Sequence, residues 1–215
     1  MPAATTTPKY APNSARDRLV DAALELFATR GYQAIGLRDL ASHLGLHAGS
    51  LYNHIENKQC LLFELIEAAL SDLLADTKRR MRGASSNHER LRRFINAFVS
   101  FNLAEKHRLL LVTREFVNLT GDQQQEIDQL KCNYSGLLNA IVSSECAEQG
   151  RPTDRVEVIT DALIGMLYGQ SHWRSPETSE SKLTDTLTTF AIGIINTREP
   201  TDHKSVKLKR LNTHK

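Results

Sequence analysis

The chain has 215 residues, of which 40% are hydrophobic and 24% charged, and its formal net charge is +2. This apolar content supports a packed core, and the absence of strand-like alternation predicts an all-α protein. No run of eighteen apolar residues occurs and the first residues lack a hydrophobic segment, so the sequence predicts a cytoplasmic protein that neither spans a membrane nor is secreted.

The N-terminal part predicts a short arm and then a helix. Residues 1–13 are rich in Ala, Thr and Pro and predict a disordered arm. Ser14 is a candidate N-cap for the first helix, whose apolar stripe ends before Gly31 and consists of Leu19, Ala22, Ala23, Leu26 and Phe27. We expect residues 14–58 to form one domain and residues 59–197 a second, helical domain.

A helix-turn-helix unit is predicted between Gly36 and Lys58. One buried helical face is indicated by the spacing of Leu37, Leu40, Ala41 and Leu44. Gly45 then ends the helix, and Leu46 is expected to fold back as an apolar plug. A second helix of two turns is expected from Ala48 to Ile55, with Leu51 and Ile55 inward. The outward side, which suits a DNA major groove, holds His47, Ala48, Gly49 and Asn53.

The residues from Arg16 to about Leu62 resemble the TetR family of transcriptional regulators. The string GSLYNHIENKQCLL is similar to that family's recognition-helix signature, and RDRLVDAALELFATRGYQAIGLRDLASHLG is similar to its first two helices. Ile55 stands at a position where Phe is more common in that family. Gly36 stands where Thr is frequent, which leaves the second helix without a hydroxyl cap. The resemblance implies a homodimeric, ligand-responsive regulator that binds double-stranded DNA at a palindromic operator.

The same resemblance implies roles for single residues. Phosphate contacts are expected from Ser50, Tyr52, His54 and Lys58, and contacts near base edges from Arg38, Ala48, Gly49 and Asn53. Hydroxyl and ammonium donors suit phosphate oxygens, whereas an amide or guanidinium can pair with a base edge. Alternatives stay open, since His54 could cap or pack, Tyr52 could lie half in the core, and Lys58 could be a solvated charge.

Further helices are expected at about 58–82, 88–104, 107–118, 122–148, 153–174 and 179–197. The last two are apolar on two sides, with an inner stripe in the final helix of Leu183, Leu187, Phe190 and Ile194. A helix apolar on two sides needs two partners, so we expect a homodimer surface formed by Val158, Gly165, Gly169, Ala191 and Ile195. The alternative is a helix at the centre of a monomer. Two reading helices of a dimer meet a palindromic site when they lie about 34 to 36 Å apart or a multiple of that distance.

A ligand cleft in the second domain is a weaker expectation. Its candidate wall is Phe98, Phe101, Leu110, Arg114, Tyr134, Met166, His172 and Trp173, although aromatic residues at helical spacing are more often core. The segment GMLYGQSHWRSP resembles TetR-type regulators of lipid and acyl-CoA metabolism. Phosphates of such a ligand could meet Lys106, His107, Arg108 and Arg114, although a solvated charged face is the simpler explanation of these residues.

Charge and cysteine content bound the remaining possibilities. Residues 1–58 hold 6 basic and 5 acidic residues, so DNA affinity must depend on individual phosphate contacts at defined positions. Residues 198–215 hold 6 basic and 2 acidic residues and predict a basic disordered tail. Cys60, Cys132 and Cys146 show no metal-ligand spacing. No cofactor, metal or catalytic residue is expected, so an all-helical enzyme is a remote alternative. A transcriptional activator and an architectural DNA-binding protein are the nearer alternatives to a repressor.

Overall fold

The computed structural model describes residues 14–173 and 178–197, and the side chains of residues 170–173 are excluded from the description. The predicted N-terminal arm and basic tail lie outside the described residues, as do the side chains of His172 and Trp173. No helix in the described part of the chain is long and apolar enough to cross a membrane.

Within residues 14–173 and 178–197 the regular structure is helical, which confirms the all-α fold. The helices are α1 (Ala15–Arg30), α2 (Leu37–His43), α3 (Ala48–Leu51), α4 (Lys58–Met81), α5 (Asn87–Ala104), α6 (Lys106–Arg114), α7 (Gly121–Glu148), α8 (Val156–Trp173) and α9 (Glu180–Ile195). A 3₁₀ turn, Phe116–Asn118, joins α6 to α7. The helix expected over 107–118 is therefore shorter, and its last part tightens into this turn.

Side-chain caps fix where several helices begin. Ser14 Oγ accepts from Asp17 N at 3.0 Å while the Asp17 carboxylate accepts from Ser14 N at 3.2 Å, so α1 starts with a reciprocal capping box. Asn57 Oδ1 accepts from Cys60 N at 2.8 Å at the start of α4. These caps satisfy backbone N–H groups that have no partner inside the helix.

The long helix α4 is common to both parts of the molecule. It buries the apolar residues Leu61, Leu62, Leu65, Ile66, Ala69, Leu70, Leu73 and Leu74. These side chains belong to one core cluster that also includes Phe27 of α1 and Phe94 and Phe98 of α5. The expected unbroken helix from Lys58 to about Arg82 is thus present, and the expected domain boundary after Lys58 falls at the beginning of it.

The inner side of α9 differs from the predicted one. Ala191 and Ile195 are only 1% and 2% exposed, whereas Phe190 is 55% exposed. The expectation that Ala191 and Ile195 lie on an outer dimer surface is therefore wrong. The buried stripe also contains Thr184 and Thr188, and the Thr188 hydroxyl donates to Thr184 O at 2.7 Å. Because a threonine satisfied by its own helix packs like an apolar residue, hydrophobic spacing alone misplaced the stripe.

The outer side of α8 carries the other residues of the expected dimer surface, which stays a prediction. Val158 is 68% exposed, and Gly165 and Gly169 are also exposed. Ala162 is exposed as well and lies one turn from both Val158 and Gly165. The inner side is formed by Ile159, Leu163 and Leu167. A continuous stripe of small and apolar residues thus runs along the outside of α8.

Candidate nucleic-acid interface

The corner between α2 and α3 is closed by backbone hydrogen bonds. Gly45 adopts a φ of 67°, a left-handed conformation that favours glycine. Gly45 N donates to Ser42 O at 3.1 Å and Leu46 N donates to Ala41 O at 2.8 Å, so the carbonyls at the end of α2 are satisfied. Leu46 itself is 36% exposed. The expected apolar plug is therefore wrong, and the backbone rather than a side chain fixes the corner.

The second helix of the unit is shorter than expected. α3 covers Ala48–Leu51, and the chain continues through turns in which the N–H groups of His54 and Ile55 donate to Leu51 O at 2.9 and 3.1 Å. Leu51 and Ile55 are 0% and 6% exposed and anchor this segment in the core. Asn57 already has the extended conformation of the α4 N-cap, so only a short stretch can stay helical after the corner.

The outward side of this unit is open. Arg38, His47, Gly49, Tyr52 and Asn53 are exposed, and Ala48, Ser50 and His54 are half-buried. Among the described residues, no side chain of this group makes a hydrogen bond or ion pair with another part of the protein. A Cβ built on Gly49 would meet no atom within 4 Å. This face is hereafter the reading face and consists of Arg38, His47, Ala48, Gly49, Ser50, Tyr52, Asn53 and His54.

Lys58 lies elsewhere. Its Nζ donates to Tyr32 O at 2.8 Å and to Ile35 O at 2.9 Å, and it stands 3.9 Å from the centroid of the Tyr32 ring. Burial lowers the pKa of Lys58, while Asp39 and Glu115 oppose this shift. The ammonium expected to contact phosphate is thus engaged inside the protein, where it ties the start of α4 to the loop between α1 and α2.

Gly36 is capped in an unexpected way. The Asp39 carboxylate accepts from Gly36 N at 2.7 Å, so an acidic side chain in the first turn satisfies an N–H group at the beginning of α2. The helix α2 therefore has a defined start even though Gly36 supplies no hydroxyl.

A cluster of amides joins the first domain, residues 14–58 and hereafter the reading unit, to the second domain. Gln33 Nε2 donates to Asn118 Oδ1 at 2.6 Å, and Gln59 Nε2 donates to Asn118 O at 2.8 Å and to Gln123 Oε1 at 3.0 Å. Tyr32 Oη donates to Gln59 Oε1 at 3.0 Å. We call Tyr32, Gln33, Gln59, Asn118 and Gln123 the polar joint. The sequence contains no signal for it, since the partners belong to separate segments.

A buried carboxylate supports the polar joint. Glu115 is 7% exposed, and its carboxylate accepts from Asn118 Nδ2 at 2.7 Å. Its charge also favours the ammonium of Lys58. Arg114, expected to face a ligand, instead donates to Ala28 O at 3.3 Å. The end of α6 therefore contacts the reading unit through three neighbouring residues, Arg114, Glu115 and Asn118.

The expected ligand wall is not gathered in one cleft. Phe98 is 1% exposed and packs on Tyr168 with ring centroids 5.1 Å apart. Phe101 lies under the guanidinium of Arg108 at 5.5 Å, in a separate groove. Leu110 and Met166 are half-buried and pack against the core. Of the expected residues within the described part, only Tyr134 lines the cavity discussed next.

A cavity of about 640 Å³ lies among α6, the 3₁₀ turn, α7 and α8. Its wall is formed by Val112, Thr113, Phe116, Asp128, Lys131, Cys132, Tyr134, Ser135, Asp161, Ile164 and Tyr168. Sequence reasoning missed most of these residues because they come from four segments. Phe116 belongs to both this wall and the 3₁₀ turn that carries Asn118 of the polar joint.

The helices α2 and α3 are joined by a short turn at Gly45 and have an open outward face. This is the structure of a helix-turn-helix DNA-binding protein. Comparison with known proteins agrees. The profile for bacterial regulatory proteins of the tetR family matches residues 19–65, and the profile for the tetracyclin repressor-like C-terminal domain matches residues 84–195, more than half of the chain. The chain therefore belongs to the TetR family of transcriptional regulators.

Individual relatives cover different shares of the chain. The HTH-type transcriptional activator FasR of Mycolicibacterium smegmatis is 25% identical over 151 residues, which are 70% of this chain and 68% of FasR. The HTH-type transcriptional repressor KstR2 of Mycobacterium tuberculosis is 34% identical over 100 residues, 46% of this chain and about half of KstR2. AibR, solved with isovaleryl coenzyme A and operator DNA, has a TM-score of 0.72 and 22% identity, with 82% of this chain and 97% of AibR covered.

The substitution Lys58→Met tests the contact between α4 and the preceding loop. It removes the two hydrogen bonds that a charged group donates to Tyr32 O and Ile35 O, and Tyr32 O then keeps only the N–H of Ile35, at 3.3 Å. We therefore expect a loss of about 1–3 kcal/mol in the free energy of unfolding. Urea denaturation measures this loss. The control is Lys78→Met, since Lys78 is exposed near the end of α4. Equal stabilities of the two variants would contradict the structural role of Lys58.

The substitution Asn53→Ala tests the reading face. We expect it to reduce discrimination between a duplex selected by the wild-type chain and its single-base variants by about 1–3 kcal/mol, because a bidentate amide contact is lost. Tyr52→Phe should weaken binding to all duplexes alike. Fluorescence anisotropy with both duplex sets measures these effects. The division of roles is refuted if Asn53→Ala weakens every duplex by the same factor.

Proposed function

We propose that the chain is a cytoplasmic homodimeric repressor that binds a palindromic operator through two reading faces and leaves it when a small molecule occupies the second domain. The supporting observation is the open reading face. Arg38, Tyr52 and Asn53 are exposed polar side chains without partners among the described residues, and side chains of these types are suited to phosphates and base edges.

The exposed side of α8 supports dimerisation. Val158, Ala162, Gly165 and Gly169 form a stripe of small and apolar residues, and a Cβ built on either glycine would meet no atom within 4 Å. Such a stripe lets a second helix approach closely, and a twofold contact makes the same surface serve both copies. Phe190, exposed on α9, takes the place of Ala191 and Ile195 in the proposed dimer surface.

The sign of regulation and the ligand class are proposed from relatives. KstR2 is named a repressor and FasR an activator, so activation is the second candidate function. AibR was solved with isovaleryl coenzyme A, which makes an acyl thioester one candidate ligand for this chain and another hydrophobic molecule the alternative. The proposed site is the cavity that contains Tyr134.

The polar joint supplies a route from that cavity to the reading face. Phe116 lines the cavity, and two residues later Asn118 bonds to Gln33 and Gln59. A ligand that displaces Phe116 would shift the 3₁₀ turn and with it the loop held by Lys58. A differential affinity of about 1–3 kcal/mol between the two arrangements suffices for a 5- to 150-fold release from DNA.

The substitution Val158→Asp tests the proposed homodimer and its need for DNA binding. We expect the dimer to dissociate, because each charge would be buried opposite its symmetry mate, and operator affinity to fall on the order of 100-fold as the two reading faces lose their link. Sedimentation velocity and fluorescence anisotropy measure the two effects.

Val117→Asp is the matched control, because Val117 is 76% exposed and belongs to the 3₁₀ turn and not to α8 or α9. The proposal fails if Val158→Asp remains dimeric, or if a monomeric Val158→Asp binds the palindromic duplex as tightly as the wild-type chain does.

The substitution Asn118→Ala tests the polar joint. The substitution removes the side-chain bonds to Gln33 and Glu115, so the reading unit loses its fixed orientation. Restoring that orientation on DNA costs part of the binding free energy, and we expect about tenfold weaker operator binding. The control is Asn133→Ala, because Asn133 is exposed and its amide bonds only within α7. An unchanged dissociation constant for Asn118→Ala would count against the joint.

A further inference from the structure

The cavity of about 640 Å³ already holds a positively charged group against an aromatic ring. Lys131 of α7 is the one cationic side chain among the described residues of its wall. Its Nζ donates to the Asp128 carboxylate at 3.0 Å and stands 3.2 Å from the centroid of the Phe116 ring. The face of an aromatic ring attracts a cation, and a nearby carboxylate adds to that attraction. This part of the wall is therefore suited to an ammonium group.

The Lys131 ammonium is held there only loosely. Its side chain is 37% exposed, and the side chain of Asp128 is 58% exposed. An exposed ion pair between neighbouring residues of one helix contributes little to stability, and a lysine side chain reaches water easily. A cationic ligand could thus take the place over Phe116 while Lys131 turns to solvent and stays beside Asp128.

Asp161 gives the wall a carboxylate in excess. It lies on the cavity side of α8 with Ile164, is exposed, and makes no hydrogen bond or ion pair within residues 14–173 and 178–197. Because Asp128 is paired with Lys131, the wall holds two carboxylates and one ammonium. An occupant with one positive charge balances this excess, whereas a polyphosphate group is repelled by it.

The remaining wall is largely apolar. Val112, Phe116, Ile164 and the ring of Tyr134 supply most of that surface. Pockets for small organic molecules combine an apolar wall with a few polar groups that fix the orientation of the ligand. Here the polar groups with a charge to offer are the carboxylates, so the wall favours a ligand that is both apolar and cationic.

We infer that the cavity binds an apolar molecule with one positive charge, such as a lipophilic amine or quaternary ammonium compound. Its cationic group takes the place of the Lys131 ammonium over the Phe116 ring, and its charge is balanced by Asp161. This inference rests on the proposed ligand role of the cavity and selects the hydrophobic alternative over an acyl thioester.

Displacement of Lys131 would act on the polar joint through the 3₁₀ turn. Phe116 and Asn118 belong to the same turn, and Asn118 accepts from Gln33 at 2.6 Å. The contact between Lys131 and Phe116 joins α7 to this turn. A cationic ligand replaces that contact, so the turn is no longer tied to α7 by Lys131.

The test is isothermal titration calorimetry of the full-length wild-type chain with decyltrimethylammonium, 1-decanol and decanoate. These ligands share a decyl-length chain and differ in charge, and each is used below its micelle or solubility limit. We expect decyltrimethylammonium to bind about tenfold more tightly than the other two, because it alone gains the attraction of the Phe116 ring and of Asp161.

Two variants should change the affinity in opposite directions. Asp161→Asn removes the excess charge, so decyltrimethylammonium should bind about tenfold more weakly while 1-decanol is unaffected. Lys131→Met keeps the apolar part of the side chain and removes the competing ammonium, so decyltrimethylammonium should bind about threefold more tightly. The control is Asp154→Asn, because Asp154 is exposed and lines a different cavity.

A change in packing alone would alter the affinity for the cationic and the neutral ligand alike. The inference is overturned if wild type does not bind decyltrimethylammonium, if it binds all three ligands equally, if Asp161→Asn binds decyltrimethylammonium as tightly as wild type, or if Lys131→Met weakens that binding. None of these measurements involves DNA. A chain that binds decyltrimethylammonium as expected but no duplex would contradict the proposed repressor function and leave the ligand class intact.

Discussion

The contact between the Lys58 ammonium and the carbonyls of Tyr32 and Ile35 is the constraint on which the reading unit depends. A half-buried ammonium must be paired, and here the two carbonyls, the Tyr32 ring and the nearby charge of Glu115 provide that pairing. The loop before α2 is thereby held against the first turn of α4. Since α4 continues into the second domain without a break, the reading face has a defined orientation relative to that domain.

Around this contact the molecule uses neutral amides rather than ion pairs. The bond from Gln33 to Asn118, 2.6 Å long, crosses from the reading unit to the turn after α6. Gln59 of α4 bonds to Asn118 O at 2.8 Å and to Gln123 of α7 at 3.0 Å. Each amide hydrogen bond fixes geometry but contributes only a modest net free energy of folding. The free energy of binding a ligand is therefore large enough to rearrange these bonds. Phe116 belongs to this turn and to the wall of the cavity, so the cavity lies two residues along the chain from Asn118.

Local signals were readable from the sequence, and signals that depend on distant partners were not. The spacing of Leu40, Ala41 and Leu51 and the position of Gly45 predicted the helix-turn-helix corner, because those features act within a few residues. The stripe of α9 was misplaced because Thr184 and Thr188 are buried with their hydroxyls satisfied by the structure itself. The polar joint was invisible because Gln33 and Asn118 are 85 residues apart. The residues of the observed cavity were missed for a similar reason, since they come from four segments.

The most direct measurement of the central claim is hydroxyl-radical footprinting of the full-length chain on a duplex selected from random sequence. Two copies of the reading face related by a twofold axis predict two protected patches on one side of the duplex, separated by about one helical turn or a multiple of it. A single unpaired patch, or no protection even in dilute salt, would contradict the account.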